Sequence, residues 1–170
     1  MANYYKELTK RFIEAKEIIR DEYARERFMR DMEEKLKQVP IIGNDLADIL
    51  VLFSMVKSYF KREYVTLPVG SLIAIIAALL YFISGLDVIP DAIPFLGFFD
   101  DISVIKIAMK MVKDDVRKYR EWQESIGKKD PYLIIDADIE VIETDQEEID
   151  LLQEQLDQLN KEYNEDIEEN

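Results

Sequence analysis

Hydrophobic residues recur every three or four positions through the first third of the chain, which is the spacing of amphipathic α-helices. The first apolar series consists of Leu8, Phe12, Ala15, Ile19, Tyr23, Phe28, Met32, Leu36 and Val39. Its length predicts one long helix or two helices joined near residues 23–27. Pro40 and Gly43 end the series, and Asn44 or Asp45 is suited to cap a second helix. The apolar face of that second helix consists of Leu46, Ile49, Leu50, Phe53, Val56 and Phe60.

The next stretch, Tyr64–Leu86, has 23 residues without a charge, and within it Leu72–Ile83 is apolar without interruption. Two interpretations are open at this point. About 20 apolar residues suffice to span a bilayer, and the preceding Lys57, Lys61 and Arg62 would then anchor its cytoplasmic end. A short apolar run bounded by proline, glycine and serine is instead typical of a central helix that is buried in a bundle.

Amphipathic spacing resumes after this stretch. It predicts a helix that begins at Asp100 or Asp101 and ends near Ile126. The apolar face of this helix consists of Ile102, Ile105, Met109, Val112, Val116 and Tyr119. A linker follows at 127–131, and residues 132–143 alternate briefly as in a strand or an extended arm. A last series predicts a C-terminal helix that packs on the body or pairs with another chain; it consists of Ile149, Leu152, Leu156, Leu159 and Tyr163.

These patterns predict an all-α fold, a helical bundle with a central apolar helix, a proline-locked helical hairpin and an acidic C-terminal helix. We expect three segments within it. Residues 1–63 form amphipathic N-terminal helices, residues 64–126 form the hairpin, and residues 127–170 form an acidic arm and the C-terminal helix. A chain of 170 residues is long enough for one domain with its own core.

Composition removes several function classes. The chain has no cysteine and no histidine, which excludes disulfides, thiol nucleophiles, the usual zinc sites and histidine-based catalysis. The net charge is −14, and residues 127–170 carry nearly all of it, with 3 basic and 16 acidic residues. Such a chain repels phosphate backbones, so nucleic-acid binding is not expected. The N-terminus lacks a secretory signal pattern, and we expect a cytoplasmic protein.

The stretch DVIPDAIPFLGFFDD, residues 87–101, follows the apolar run directly. Its two prolines, Pro90 and Pro94, push the residues before them into extended geometry, so the apolar helix must end here. Because proline has no N–H, the carboxylates of Asp87 and Asp91 can each serve only the amide two residues on. The stretch is therefore typical of a rigid, locally hydrogen-bonded connection between two antiparallel helices.

The longer stretch YFISGLDVIPDAIPFLGFFDD, residues 81–101, resembles the signature of the YkvA-like domain of unknown function. The matching positions include Tyr81, Ser84, Asp87, Ile89, Pro90, Asp91, Ile93, Pro94, Gly97, Asp100 and Asp101. The sequence departs from the family pattern at Gly85, where proline is usual, and at Val88, where leucine is usual. The resemblance covers about Leu67–Met111. It implies a helical hairpin and frequent membrane association, and it implies no established activity.

The four aspartates of this motif, Asp87, Asp91, Asp100 and Asp101, have a structural and a chemical interpretation. Aspartate is a preferred capping residue, so the favoured interpretation is that they cap helices and lock turns. The alternative is a site for a hard divalent cation, which takes oxygen ligands. Their spacing does not match an EF-hand loop. Acid–base catalysis by two of the carboxylates lacks a positioned nucleophile or a recognisable cleft.

We therefore expect a non-enzymatic helical scaffold without a cofactor, associated with the cytoplasmic face of a membrane or with a partner protein. The acidic tail is suited to a basic partner, and the C-terminal helix is suited to self-association. The alternative function is a soluble helical bundle with a divalent-cation site at the aspartate-rich turn.

Overall fold

The computed structural model describes residues 4–38, 44–84, 96–128 and 146–168. Within these ranges the residues form α-helices, and no strand occurs among them. The helices in chain order are α1 (Tyr4–Arg20), α2 (Glu22–Gln38), α3 (Asn44–Phe60), α4 (Val69–Ser84), α5 (Leu96–Met111), α6 (Lys113–Ser125) and α7 (Gln146–Glu168). The predicted all-α fold is confirmed, whereas the arm predicted at residues 132–143 lies outside the described residues.

The N-terminal apolar series folds as two helices, and Asp21 separates them. The Asp21 carboxylate accepts a 2.7 Å hydrogen bond from the amide of Ala24, which is the geometry of a helix N-cap. The join therefore lies just before the predicted 23–27 interval. Tyr23 was predicted on the apolar face, but its side chain is 74% exposed because the new helix starts in a different rotational phase.

Helix α4 is the centre of the bundle. Its residues 72–79 are all at most 1% exposed, and Phe82 in the last turn is equally buried. Helices α1, α2, α3, α5 and α7 all pack against it, so protein covers the apolar side chains of residues 72–79 and Phe82. Burial of each large side chain in α4 contributes about 1.5–3 kcal/mol relative to exposure. Within the described part of the chain, no helix is both long and apolar enough to cross a membrane.

Helix α5 begins at Leu96, four residues before the start predicted at Asp100 or Asp101. Those two aspartates lie in its second turn, so the prediction that one of them opens the helix was wrong. Proline fixes its own φ near the helical value and pushes only the residue before it out of the helical region, so a helix can begin soon after Pro94 in the sequence. A turn at Val112 divides the predicted helix into α5 and α6, although backbone hydrogen bonds continue across it.

The predicted C-terminal helix is confirmed as α7, and it packs on the body of the same chain. Leu152 and Leu156 on its inner face are buried against the core. The Thr9 hydroxyl of α1 donates a 2.8 Å hydrogen bond to the side-chain oxygen of Gln155. Two residues of the apolar stripe of α7, Leu152 and Leu156, therefore pack within the same chain.

Candidate functional site

The structure places the residues of the aspartate-rich motif on two helices and on a segment that it does not describe. Tyr81 and Ser84 lie one turn apart at the end of α4, where the Ser84 hydroxyl donates to the carbonyl of Leu80 at 2.9 Å. Gly97, Asp100 and Asp101 lie in the first two turns of α5, and of the two aspartate side chains nothing is described. Asp87, Pro90, Asp91 and Pro94 lie outside the described residues, so their turn-locking role stays a prediction.

The two helices that flank the motif form an antiparallel hairpin. Helices α4 and α5 pack against each other along the core. The Ser71 hydroxyl in the first turn of α4 donates to the carboxylate of Asp115, four residues beyond the end of α5, at 2.5 Å. Since the start of α4 lies beside the end of α5, the helices run in opposite directions.

A buried lysine approaches the end of α4 where the motif begins. Lys35 on α2 is only 7% exposed, and its ammonium group donates to the carbonyl of Ile83 at 3.0 Å. The same nitrogen lies 5.8 Å from the centre of the Phe82 ring. A positive charge is stabilised at a helix C-terminus, where carbonyl groups lack partners within the helix. Lys35 therefore caps α4 from a neighbouring helix.

Sequence reasoning missed Lys35, although a signal for it was present. The apolar face of α2 includes Phe28 and Met32, and Lys35 is three positions after Met32. That spacing puts the lysine on the buried face. A lone charged residue in register with an apolar stripe indicates a buried partner, because an unpaired buried charge is strongly unfavourable.

A cluster of charged side chains lies where α3, α5 and α6 meet. Lys106 forms an ion pair with Asp45 at 3.4 Å. Burial raises the pKa of the half-buried Asp48 and the negative charge of Asp45 adds to that rise, while the positive charges of Lys106 and Arg120 oppose it. The Nε atom of Arg120 is buried without a hydrogen-bond partner among the described residues. These charges balance one another, which is typical of a structural network.

Metal binding has no support in the part of the chain that the structure describes. That part contains no group of three or more acidic side chains placed to hold a metal ion. The divalent-cation alternative rests on Asp87, Asp91, Asp100 and Asp101, whose side chains are outside the description. It stays a prediction from the sequence.

Known proteins that are similar to this chain belong to the family that the motif indicates. Residues 71–107, which span most of α4 and α5, match the family described as a protein of unknown function (DUF1232). A segment of 75 residues is 33% identical to the uncharacterized membrane protein YkvA of Bacillus subtilis (strain 168), covering 44% of this chain and 71% of that protein. No solved structure matches the chain.

The family match falls on the α4–α5 hairpin, and the similarity to the Bacillus protein extends over most of that protein's length. The signature residues at the end of α4 and the start of α5 occur in the order and spacing that the resemblance requires. On these grounds the chain belongs to the YkvA-like proteins of unknown function, the DUF1232 family.

Proposed function

We propose that the protein is a non-enzymatic helical scaffold that associates with the cytoplasmic face of a membrane. The observation that carries this proposal is the relationship to YkvA, which is described as a membrane protein. The 33% identity extends over 71% of that protein, so most of its length has a counterpart in this chain.

The packing of α4 supports a particular mode of association. Its apolar side chains are enclosed by five other helices, so they are already removed from solvent by the chain itself. Breaking those contacts to insert α4 into lipid would expose the apolar faces of its neighbours. In the proposed function the outer surface of the bundle contacts the membrane, and the core stays closed.

The acidic C-terminal region has a partner-binding role in this proposal. Leu152 and Leu156 hold α7 on the body, while Glu154 and Asp157 between and beyond them point to solvent. Residues 127–170 carry 16 acidic residues against 3 basic ones. This surface suits a basic partner protein, held mainly by charge and therefore weakened by salt.

Fractionation of cells that express the full chain tests the membrane proposal. We expect the protein to sediment with membranes at low ionic strength and to be released by high salt or alkali without detergent. Recovery in the soluble fraction before any wash would contradict membrane association. Retention through both washes would contradict surface contact and would favour an embedded helix.

A further inference from the structure

An open cleft of about 530 Å³ lies between α2 and α3, near the end of α6. This volume is in the range of sites for small ligands. The cleft is separate from the α4–α5 hairpin. Its lining residues are Glu33, Leu36, Lys37, Leu50, Phe53, Ser54, Lys57, Ser58, Lys61, Glu63 and Lys128.

The cleft is positively charged, although the chain as a whole is strongly negative. Four of its lining residues are lysines and two are glutamates. Lys57 pairs with Glu33 at 3.5 Å, and Lys128 pairs with Glu63 at 3.2 Å. The described part of the chain offers no ion-pair partner to the remaining two, Lys37 and Lys61. On a protein of net charge −14, this excess of positive charge selects an anion.

The hydroxyl groups of Ser54 and Ser58 line the cleft and add neutral polar groups to it. The Tyr119 hydroxyl is hydrogen-bonded to Ser54 Oγ at 2.7 Å and to Ser58 Oγ at 2.8 Å. Three hydroxyl groups carry three protons, and these two hydrogen bonds use two of them. Within the described residues the three hydroxyls have no further acceptor. One proton is therefore left over, and when Ser54 or Ser58 carries it, it can be donated to an anionic oxygen in the cleft.

Apolar groups lie beside these donors. Leu36, Leu50 and Phe53 form one wall of the cleft. Val65 and Ile126 lie two positions from the lining residues Glu63 and Lys128 in the sequence, and their side chains are 64% and 47% exposed. Tyr64, the neighbour of Val65 in the sequence, packs against Trp122 with the ring centres 5.0 Å apart. Cationic groups next to exposed apolar side chains are the pattern of a surface that contacts an anionic membrane.

We propose that this cleft binds the phosphate headgroup of an anionic phospholipid. Lys37 and Lys61 bind the phosphate, the spare hydroxyl proton of the Ser54–Tyr119–Ser58 group donates to it, and Val65 and Ile126 contact the acyl region. This inference rests on the proposed function, because it names the surface and the lipid chemistry through which the protein contacts a membrane.

Vesicle co-sedimentation of the full chain tests the inference. The probes are phosphatidylcholine vesicles with and without phosphatidylglycerol. We expect wild type to bind only the vesicles with phosphatidylglycerol, and Lys37→Gln/Lys61→Gln to bind them on the order of thirtyfold more weakly. The control Lys110→Gln/Lys118→Gln removes two exposed lysines from α5 and α6, causes the same change in net charge, and should bind nearly as wild type.

Equal binding by the cleft variant and the control would overturn the cleft as the lipid site and leave membrane association intact. A soluble short-chain phosphatidylglycerol, titrated with amide NMR detection, separates the remaining outcomes. Shifts at Lys37, Lys61 and Ser58 without any vesicle binding would support the ligand site and contradict the membrane function. The absence of both effects would overturn both proposals.

A second titration, with inorganic phosphate alone, tests the lipid assignment. We expect the same amides to need far higher concentrations of phosphate than of short-chain lipid, because the apolar wall contributes nothing to the free ion. Equal concentrations for the two probes would overturn the lipid as ligand and assign the cleft to free phosphate.

Discussion

Single residues with a left-handed backbone conformation terminate two of the helices in this fold. Helix α6 ends with Gly127 in the left-handed region at φ 70°, and its amide donates to the carbonyl of Glu124 at 3.0 Å. Helix α3 ends in the same way, but there the left-handed residue is Arg62 at φ 58°. Glycine adopts this conformation without a steric cost, whereas arginine does not.

The two helix ends give a paired prediction. Arg62→Gly should raise the free energy of unfolding by up to about 1 kcal/mol, because it removes backbone strain. Gly127→Ala should lower it by about 1 kcal/mol. No atom lies within 4 Å of the added methyl group, so the loss comes from the backbone conformation alone. Urea denaturation of both variants measures the difference, and changes of the same sign in both would refute this explanation.

At the scale of helices, apolar spacing predicted the elements better than it predicted their ends. The buried face of α5 and α6 was found correctly at Ile105, Met109 and Val116. The start of α5 was misplaced because Asp100 and Asp101 are good capping residues by type, and capping depends on where the chain turns. The exposure of Tyr23 follows from the cap at Asp21, which resets the helical phase.

The spacing of apolar residues could not predict which residues on different helices are in contact. Lys35 is the charged residue on the otherwise apolar face of α2. The carbonyl of Ile83 that it contacts is 48 residues away in the sequence, so the spacing within α2 could not identify it. The basic cleft joins lysines from three separated parts of the chain, Lys37, Lys61 and Lys128. Whether α4 is covered by lipid or by protein likewise depends on long-range packing, which explains why the sequence left both interpretations open.

The junction of α3, α5 and α6 predicts a pH effect on stability. Because burial raises the pKa of Asp48 in the folded protein, the folded state binds this proton more tightly than the unfolded state. The resulting contribution to stability is present at low pH and is lost as pH rises through the folded pKa. Asp48→Asn should therefore gain stability relative to wild type as pH rises from the ordinary aspartate range to neutrality.

Denaturant unfolding of both proteins across this pH interval measures the effect. As a control, Asp157→Asn on the exposed side of α7 should change stability by no more than about 0.5 kcal/mol. A loss of stability by Asp48→Asn relative to wild type as pH rises would contradict a raised pKa for Asp48 in the folded protein.

For the whole molecule, charge is unevenly distributed along the chain. The core is built around α4, the basic cleft lies between α2 and α3, and most of the negative charge is in residues 127–170. In the proposed function an anionic membrane repels the acidic region and attracts the cleft, and this difference in charge orients the protein. This orientation would leave the acidic surface accessible to a partner.

The chain's own helices cover the buried part of α4, and we propose that membrane contact is made elsewhere. Hydrogen exchange of the full chain, measured without detergent and then with vesicles containing phosphatidylglycerol, tests it most directly. We predict that amides of residues 72–82 are among the most protected in both conditions, and that added protection appears around Lys37 and Lys61. Rapid exchange of residues 72–82 in water, with protection only when lipid is present, would contradict the claim.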